Sequence, residues 1–150
     1  MKIIAVTSRH ILWDETIRYA ENCSWRGGHY LAEQMKKDIF RGWERVFIAY
    51  NGRQIAGFCT FTEKDEISDE YSFSPFIGSV FVDEAYRGNR LSGSLIQNVI
   101  SYAGENGFGS VYIMSGEKGL YEKYGFSLLG YYKTIFGNTE QLFVTSTQDK

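Results

Sequence analysis

The chain has one proline, two cysteines, two histidines and a net charge of only −2. Each shortage excludes something. A single proline leaves little room for linkers or disordered stretches. Cys23 and Cys59 are too few and too far apart for a disulfide framework or a zinc site, and they read as reduced, semi-buried thiols. His10 and His29 have no partner at ligand or triad spacing, so surface or capping roles suit them better. The near-neutral charge lacks the basic face of a nucleic-acid binder. No apolar run approaches a membrane span, and the four-residue run in MKIIAVTSRH is too short for a signal-peptide core. A cytoplasmic address is the default expectation, with neither nucleic acid nor membrane as a partner. Asn22-Cys23-Ser24 matches a glycosylation sequon, which without secretion is a chance match.

What is present is core material. Hydrophobic residues make up 43% of 150 positions, enough for one compact unit, so a single domain over residues 1–150 is expected. Lys2–Val6 reads as a strand. Asp14 caps a helix running to Asn22, and Trp25–Gly28 reads as a glycine-containing loop. From His29 to Phe40, Leu31, Met35 and Ile39 recur four apart on one helical face. Val46–Tyr50 and Ile55–Thr62 flank Asn51-Gly52, the pattern of a type I′ hairpin. Glu63–Glu70 carries five acids and one lysine and reads as a solvated turn. Phe76–Val82 is nearly continuously apolar, as a central strand is. Leu91, Leu95, Ile96, Val99, Ile100 and Ala103 trace a helical stripe ended by Gly104–Gly107. Val111–Met114 is a short strand, 118–124 a short helix with Gly125 as its left-handed end, and Leu128–Phe136 with Gln141–Thr145 a closing pair around Gly137-Asn138. The order β-α-α-β-β-β-α-β-α-β-β predicts an α/β fold of the α+β kind: a mixed, largely antiparallel sheet of six to seven strands, a central parallel β-α-β unit, and helices on both faces.

Two segments carry chemistry. Around Val80–Leu95 a strand enters a glycine-containing turn and then a helix. That junction aims several backbone N–H groups and the positive end of a helix dipole at one point, a cradle for a phosphate or pyrophosphate. About thirty residues on, Leu120–Phe126 (LYEKYGF) places tyrosines on a short helix. Motifs for nucleoside triphosphates, dinucleotides, nucleophilic serines and zinc proteases are absent.

Together, and in this order, the two segments resemble the GCN5-related N-acetyltransferase family, and the resemblance covers nearly the whole chain. The family's acyl-CoA motif, Arg/Gln-x-x-Gly-x-Gly/Ala, falls on Arg87, Gly88, Asn89, Arg90, Leu91 and Ser92. Arg90 and Ser92 stand where the family usually has glycine and glycine or alanine. The resemblance implies acetyl-CoA as co-substrate, no metal, and the pyrophosphate held at 87–92. Arg90 could offer a guanidinium and Ser92 a hydroxyl in exchange for the lost glycines. It further implies pantetheine pairing with the backbone of Phe81 and Val82, with the Val82 N–H facing the developing oxyanion. Tyr121 occupies the position of the phenol that protonates the departing thiolate. Tyr124 reads as packing.

The implied reaction is acetyl transfer to a primary amine by direct attack in a ternary complex. No base can be named: Glu66, Asp69, Glu70, Glu117 and ordered water all remain open. The acidic run would border the acceptor pocket, and Trp25, Trp43, Tyr30 and Phe73 could line it, although core packing is preferred for Trp43. The acceptor is a small molecule or peptide amine. The aromatic C-terminal strands would allow a homodimer. Two other readings stay open: a catalytically weak acyl-CoA-binding or sensing module of the same fold, and an unrelated anion-binding domain.

Overall fold

A computed structural model describes residues 1–88 and 90–148. Seven strands form one sheet in the order β1-β2-β3-β4-β5-β7-β6. They are β1 (Lys2–Val6), β2 (Arg45–Tyr50), β3 (Ile55–Thr62), β4 (Phe76–Val82), β5 (Ser110–Ser115), β6 (Ser127–Lys133) and β7 (Thr139–Ser146). Every pairing is antiparallel except β4 with β5. The helices are α1 (Trp13–Asn22), α2 (Arg26–Lys36), α3 (Leu91–Glu105) and α4 (Leu120–Lys123). The mixed architecture expected from the element order is thus present with all seven strands.

Strand alternation sends side chains to two cores. Phe47, Cys59, Phe61 and Ile77 face α3, where they meet Leu91, Leu95, Ile96 and Val99, with Tyr121, Phe126 and Phe143 completing that cluster. Val46, Ile48, Phe58 and Phe81 face α1 and α2 and bury Trp13, Ala20, Leu31 and Met35. A smaller cluster of Ile67, Phe76, Met114 and Leu142, flanked by Tyr71, Phe73, Tyr112 and Tyr132, continues that second face toward β7. β6 is an edge strand, and Leu128, Leu129 and Tyr131 on it are exposed.

Four local expectations are corrected. α1 begins at Trp13 with Leu12 at its cap, so Asp14 sits inside the first turn, where its charge favours the dipole without capping. α2 starts at Arg26, inside the stretch expected to be a loop, and ends at Lys36. Gly28 faces Ala20 of α1, and a Cβ there would lie 2.5 Å from the Ala20 carbonyl, so the glycine serves helix packing. Lys37 caps the helix, Asp38 follows at φ 47°, and Ile39 is left exposed. In the β2–β3 turn only Gly52 has positive φ, so the turn is not type I′. Asn51 Oδ1 instead accepts the N–H groups of Arg53 and Gln54, both at 2.8 Å.

The largest correction concerns the acidic run. The 63–75 connection folds across the sheet rather than standing in solvent. Ile67 is buried and bridges Thr134, the Ser68 N–H donates to Lys133 O at 3.0 Å, and the Ile135 N–H donates to Glu66 O at 2.7 Å. Lys64 Nζ donates to the carbonyls of Tyr71 and Phe73, holding the loop closed on itself.

Candidate active site

The site begins where the parallel pair of β4 and β5 fails. β4 and β5 are matched at Phe76↔Tyr112 and Ile77↔Ile113 and then part. β4 is irregular just beyond, with Ser79 at φ 50° and a register shift against β3. A bulge bends a strand and re-aims the residues beyond it. The Asp83 N–H donates to Ala56 O on β3 at 2.8 Å. Antiparallel alternation therefore turns the Val82 N–H and carbonyl away from β3, into the opening, and turns those of Phe81 toward β3. The Phe81 ring lies on the far face, stacked 6.0 Å from Trp25. Val82 thus presents backbone to the opening, whereas Phe81 is committed to β3 and the second core.

The expected phosphate cradle lies at the end of β4. Asp83 caps a 3-10 turn, Glu84–Tyr86, accepting the Ala85 N–H at 3.1 Å on one oxygen and the Tyr19 hydroxyl at 2.9 Å on the other. Burial and the Asp83 charge both push the Tyr19 hydroxyl far above its ordinary pKa. Arg87 folds back, its Nε donating to Val82 O at 3.1 Å with the guanidinium 5.9 Å from the Phe81 ring. Gly88 has φ 88° with open space where a Cβ would stand, and Arg90 is held left-handed at φ 58° immediately before α3. Asn89 lies outside the described residues.

Among the described residues the backbone ladder of α3 starts with the Ser94 N–H, which donates to Arg90 O at 3.1 Å, and the N–H groups of a helix's first turn point out of its N-terminal end. Leu91 is buried, so it offers backbone only. The Ser92 hydroxyl, expected as a free donor, lies 2.7 Å from the Tyr124 hydroxyl.

Across the opening, α4 runs between Gly119 and Gly125, at φ 80° and 92°. Tyr121 is 5% exposed, enclosed by Phe143 at 5.7 Å, Phe126 at 6.0 Å and Tyr124 at 6.2 Å between ring centres. Burial pushes its hydroxyl up to about 12, opposed by a hydrogen bond with Ser115 and reinforced by Cys59 and Glu117. Ser115 ends β5, so Tyr121 stands at the lip of the opening on the α3 face.

The other face carries a carboxylate that sequence reasoning misses. Gly78 shares a face with Phe76, opposite Ile77, and an added Cβ there would lie 2.5 Å from Asp65 Oδ1. The side chain of Asp65 rests directly on the strand backbone where the sheet opens. Burial first and the Glu66 charge second push its carboxyl up to about 7, against a hydrogen bond from the Glu66 backbone. Burial and Glu140 raise Glu66 as well. Glu66, Asp69, Glu70 and Glu117, the candidates named from the sequence, are all exposed. The one available clue was Gly78 itself, since glycine inside an apolar strand marks a close approach.

Of the aromatics expected around an acceptor, Trp43 packs on Phe61 and Phe108 in the α3 core, Tyr30 points to solvent, and Phe73 joins Tyr112 and Tyr132 beside Asp65's loop. Trp25 covers Phe81. His10 accepts the Leu12 N–H at 3.0 Å, a local cap. Among the described residues no group of three or more His, Cys, Asp or Glu is arranged to hold a metal, and no helix is long and apolar enough to cross a membrane.

Comparison with known proteins bears on the family and the fold. The model of the Acetyltransferase (GNAT) family matches residues 9–126. No curated protein sequence matches the chain. Among solved structures, an aminoglycoside 6'-N-acetyltransferase from Enterococcus faecium superposes with a TM-score of 0.75 at 13% identity, covering 100% of this chain and 99% of its own. Another aminoglycoside 6'-N-acetyltransferase, complexed with coenzyme A, gives 0.74 at 14% identity with coverages of 100% and 99%. A GNAT acetyltransferase from Elizabethkingia anophelis with acetyl-CoA bound gives 0.66 at 17% identity, covering 97% of each chain. At such identities these likenesses concern the fold.

Proposed function

The chain belongs to the GNAT acetyltransferase family, and from that premise we propose that it transfers an acetyl group from acetyl-CoA to the primary amine of a small-molecule or peptide acceptor, by direct attack in a ternary complex. The observation that carries the reading is the parting of β4 from β5 after Ile77, which leaves a slot with a helix N-terminus at one end and a buried phenol at its lip.

The residues fit the cofactor. Open space at Gly88 and the N-terminal end of α3 suit a pyrophosphate, with N–H donors from Leu91, Ser92 and Gly93 and charge from Arg87 and Arg90. We assign Asn89 to the same cradle on its motif position. Ser92 contributes its N–H, while its Oγ lies 2.7 Å from the Tyr124 hydroxyl. The Val82 backbone supplies an added-strand partner for pantetheine and a donor for negative charge developing on the thioester oxygen. Phe81 contributes by packing behind it. Acetyl-CoA supplies an activated acyl group. Tyr121 supplies the proton that the leaving sulfur requires, and its raised pKa keeps it protonated at every ordinary pH.

The test pairs two readouts on the whole protein. Acetyl-CoA is titrated calorimetrically, and free-thiol release is followed with kanamycin, spermidine, lysine and a short peptide bearing a free N-terminus. Binding together with thiol release and an acetylated product by mass spectrometry is expected. Binding without release from any amine would replace the enzyme with a sensing module. No binding would overturn the reading.

A further inference from the structure

We propose that Asp65 is the catalytic base, taking the proton from the acceptor's ammonium group on the face of the sheet opposite Tyr121. This rests on the acetyl-transfer reading and assigns a role that the family motifs leave open on this chain.

The placement follows from alternation along β4. Ile77 points into the α3 core that also holds Tyr121, while Phe76 and Gly78 point the other way. Asp65 lies on Gly78, one residue beyond the last matched pair of β4 and β5. A thioester seated where the strands part therefore has the phenol on one side and the carboxylate on the other. The amine attacks the thioester carbonyl from one of its faces, and the two groups are placed so that the base stands on one side of the slot and the acid for the sulfur on the other. Glycine at 78 is what permits it, since any side chain there would displace the carboxylate.

The surroundings suit a base. Glu66 stands beside Asp65 on the same loop, and Glu140 of β7 faces Glu66. Lys64, its neighbour in the chain, directs its ammonium at the carbonyls of Tyr71 and Phe73. The Tyr71 hydroxyl accepts the Lys133 N–H, and Tyr112 and Tyr132 close the aromatic wall around Phe73. Among the described residues the ion pairs join Lys36 to Glu21 and Glu33, and Arg41 to Asp38, so none reaches Asp65. A carboxyl held near neutrality can shed a proton to solvent and accept the next within one turnover.

The step balances. An N–H bond of the ammonium breaks and its proton passes to a carboxylate oxygen of Asp65. The freed lone pair forms the C–N bond while the C–S bond breaks and its electrons go to sulfur. Sulfur takes a proton from Tyr121, the nitrogen's surplus proton restores the phenol, and Asp65 releases its proton to water. Amide, thiol and one proton result.

The experiment measures kcat against pH for wild type, Asp65→Asn, Glu66→Gln and Gly78→Ala with whichever amine of the panel above is acetylated, alongside acetyl-CoA binding. Wild type is expected to gain activity through an apparent pKa of about 7. Asp65→Asn is expected to lose roughly 100-fold at pH 7, to keep its acetyl-CoA affinity, and to recover only as the amine itself loses its proton, near pH 10. Glu66→Gln is expected to keep the limb but move it to lower pH, because it removes a negative neighbour; a purely structural Asp65 would not produce that shift. Gly78→Ala is expected to reproduce the loss by displacing the carboxylate, which covers the case in which Asp65→Asn fails to fold. An Asp65→Asn enzyme within threefold of wild type, with its limb intact, overturns the proposal and leaves acetyl transfer standing. A wild-type protein that acetylates no amine overturns both.

Discussion

Ser92 Oγ and Tyr124 Oη lie 2.7 Å apart, joining the first turn of α3 to the end of α4 across 32 residues of sequence. The contact ties the two halves of the site together. Gly93 shares in it, because a Cβ there would come within 3.0 Å of the Tyr124 ring.

Removing either hydroxyl should cost about 1 kcal/mol of stability, and the double variant little more than either single one. Chemical denaturation of Ser92→Ala, Tyr124→Phe and the pair measures the coupling. Additive losses would show that the two groups bond water instead. Ser92→Ala should leave acetyl-CoA affinity within about twofold, since the N–H remains.

Arg90→Gly should move stability and affinity in opposite directions. A left-handed non-glycine residue costs about 1–2 kcal/mol, and a cation at a helix N-terminus adds to that, whereas glycine's unfolded-state entropy returns about 0.5–1. The variant should therefore be more stable by about 1 kcal/mol. Its acetyl-CoA affinity should fall several-fold, with a shallower dependence on salt, if the guanidinium meets a phosphate. Calorimetry at two ionic strengths reads both.

Tyr121→Phe should bind acetyl-CoA as wild type does and turn over roughly 100-fold more slowly. With its hydroxyl pushed up to about 12, Tyr121 stays protonated across the assay range, so wild type should show no alkaline decline from this group below about pH 11. Pre-steady-state thiol release checks it, and unchanged turnover would remove the phenol from the mechanism.

Asp65→Asn should become relatively more stable as pH rises. A carboxyl raised from 3.8 to about 7 favours the folded state most fully below pH 4, and that contribution is lost as pH climbs through 7. The melting-temperature difference, variant minus wild type, should therefore grow between pH 5 and pH 8. A constant difference would mean that the carboxyl is not raised.

The parts of the molecule that the sequence disclosed are those whose causes are local. β4, the turn after it and α3 were readable because glycine and apolar spacing act within a few residues, and LYEKYGF placed Tyr121 by the same means. Arg90 and Ser92 were visible as departures, but their consequences were not, since the partner of Ser92 lies on another helix. Gly27-Gly28 looks like a loop because glycine disfavours helix, yet close packing on Ala20 overrides that preference. The acidic run looks solvated by composition. What brings it over the sheet is one buried isoleucine, Ile67, and backbone bonds to residues 133–135, which no window around 63–70 can reveal. Asp65 escapes a sequence reading for that reason, although it adjoins Glu66, one of the candidate bases.

The two matched positions joining β4 to β5 carry one more implication. The sheet is in effect two slabs, β1–β4 and β5–β7, hinged along a short seam and bridged by α3. Sparse hydrogen bonding makes such a joint the cheapest place for partial opening. A guest lying along it would clasp both slabs, so amide deuteration should slow on Gly78–Val82 and Met114–Ser115 together.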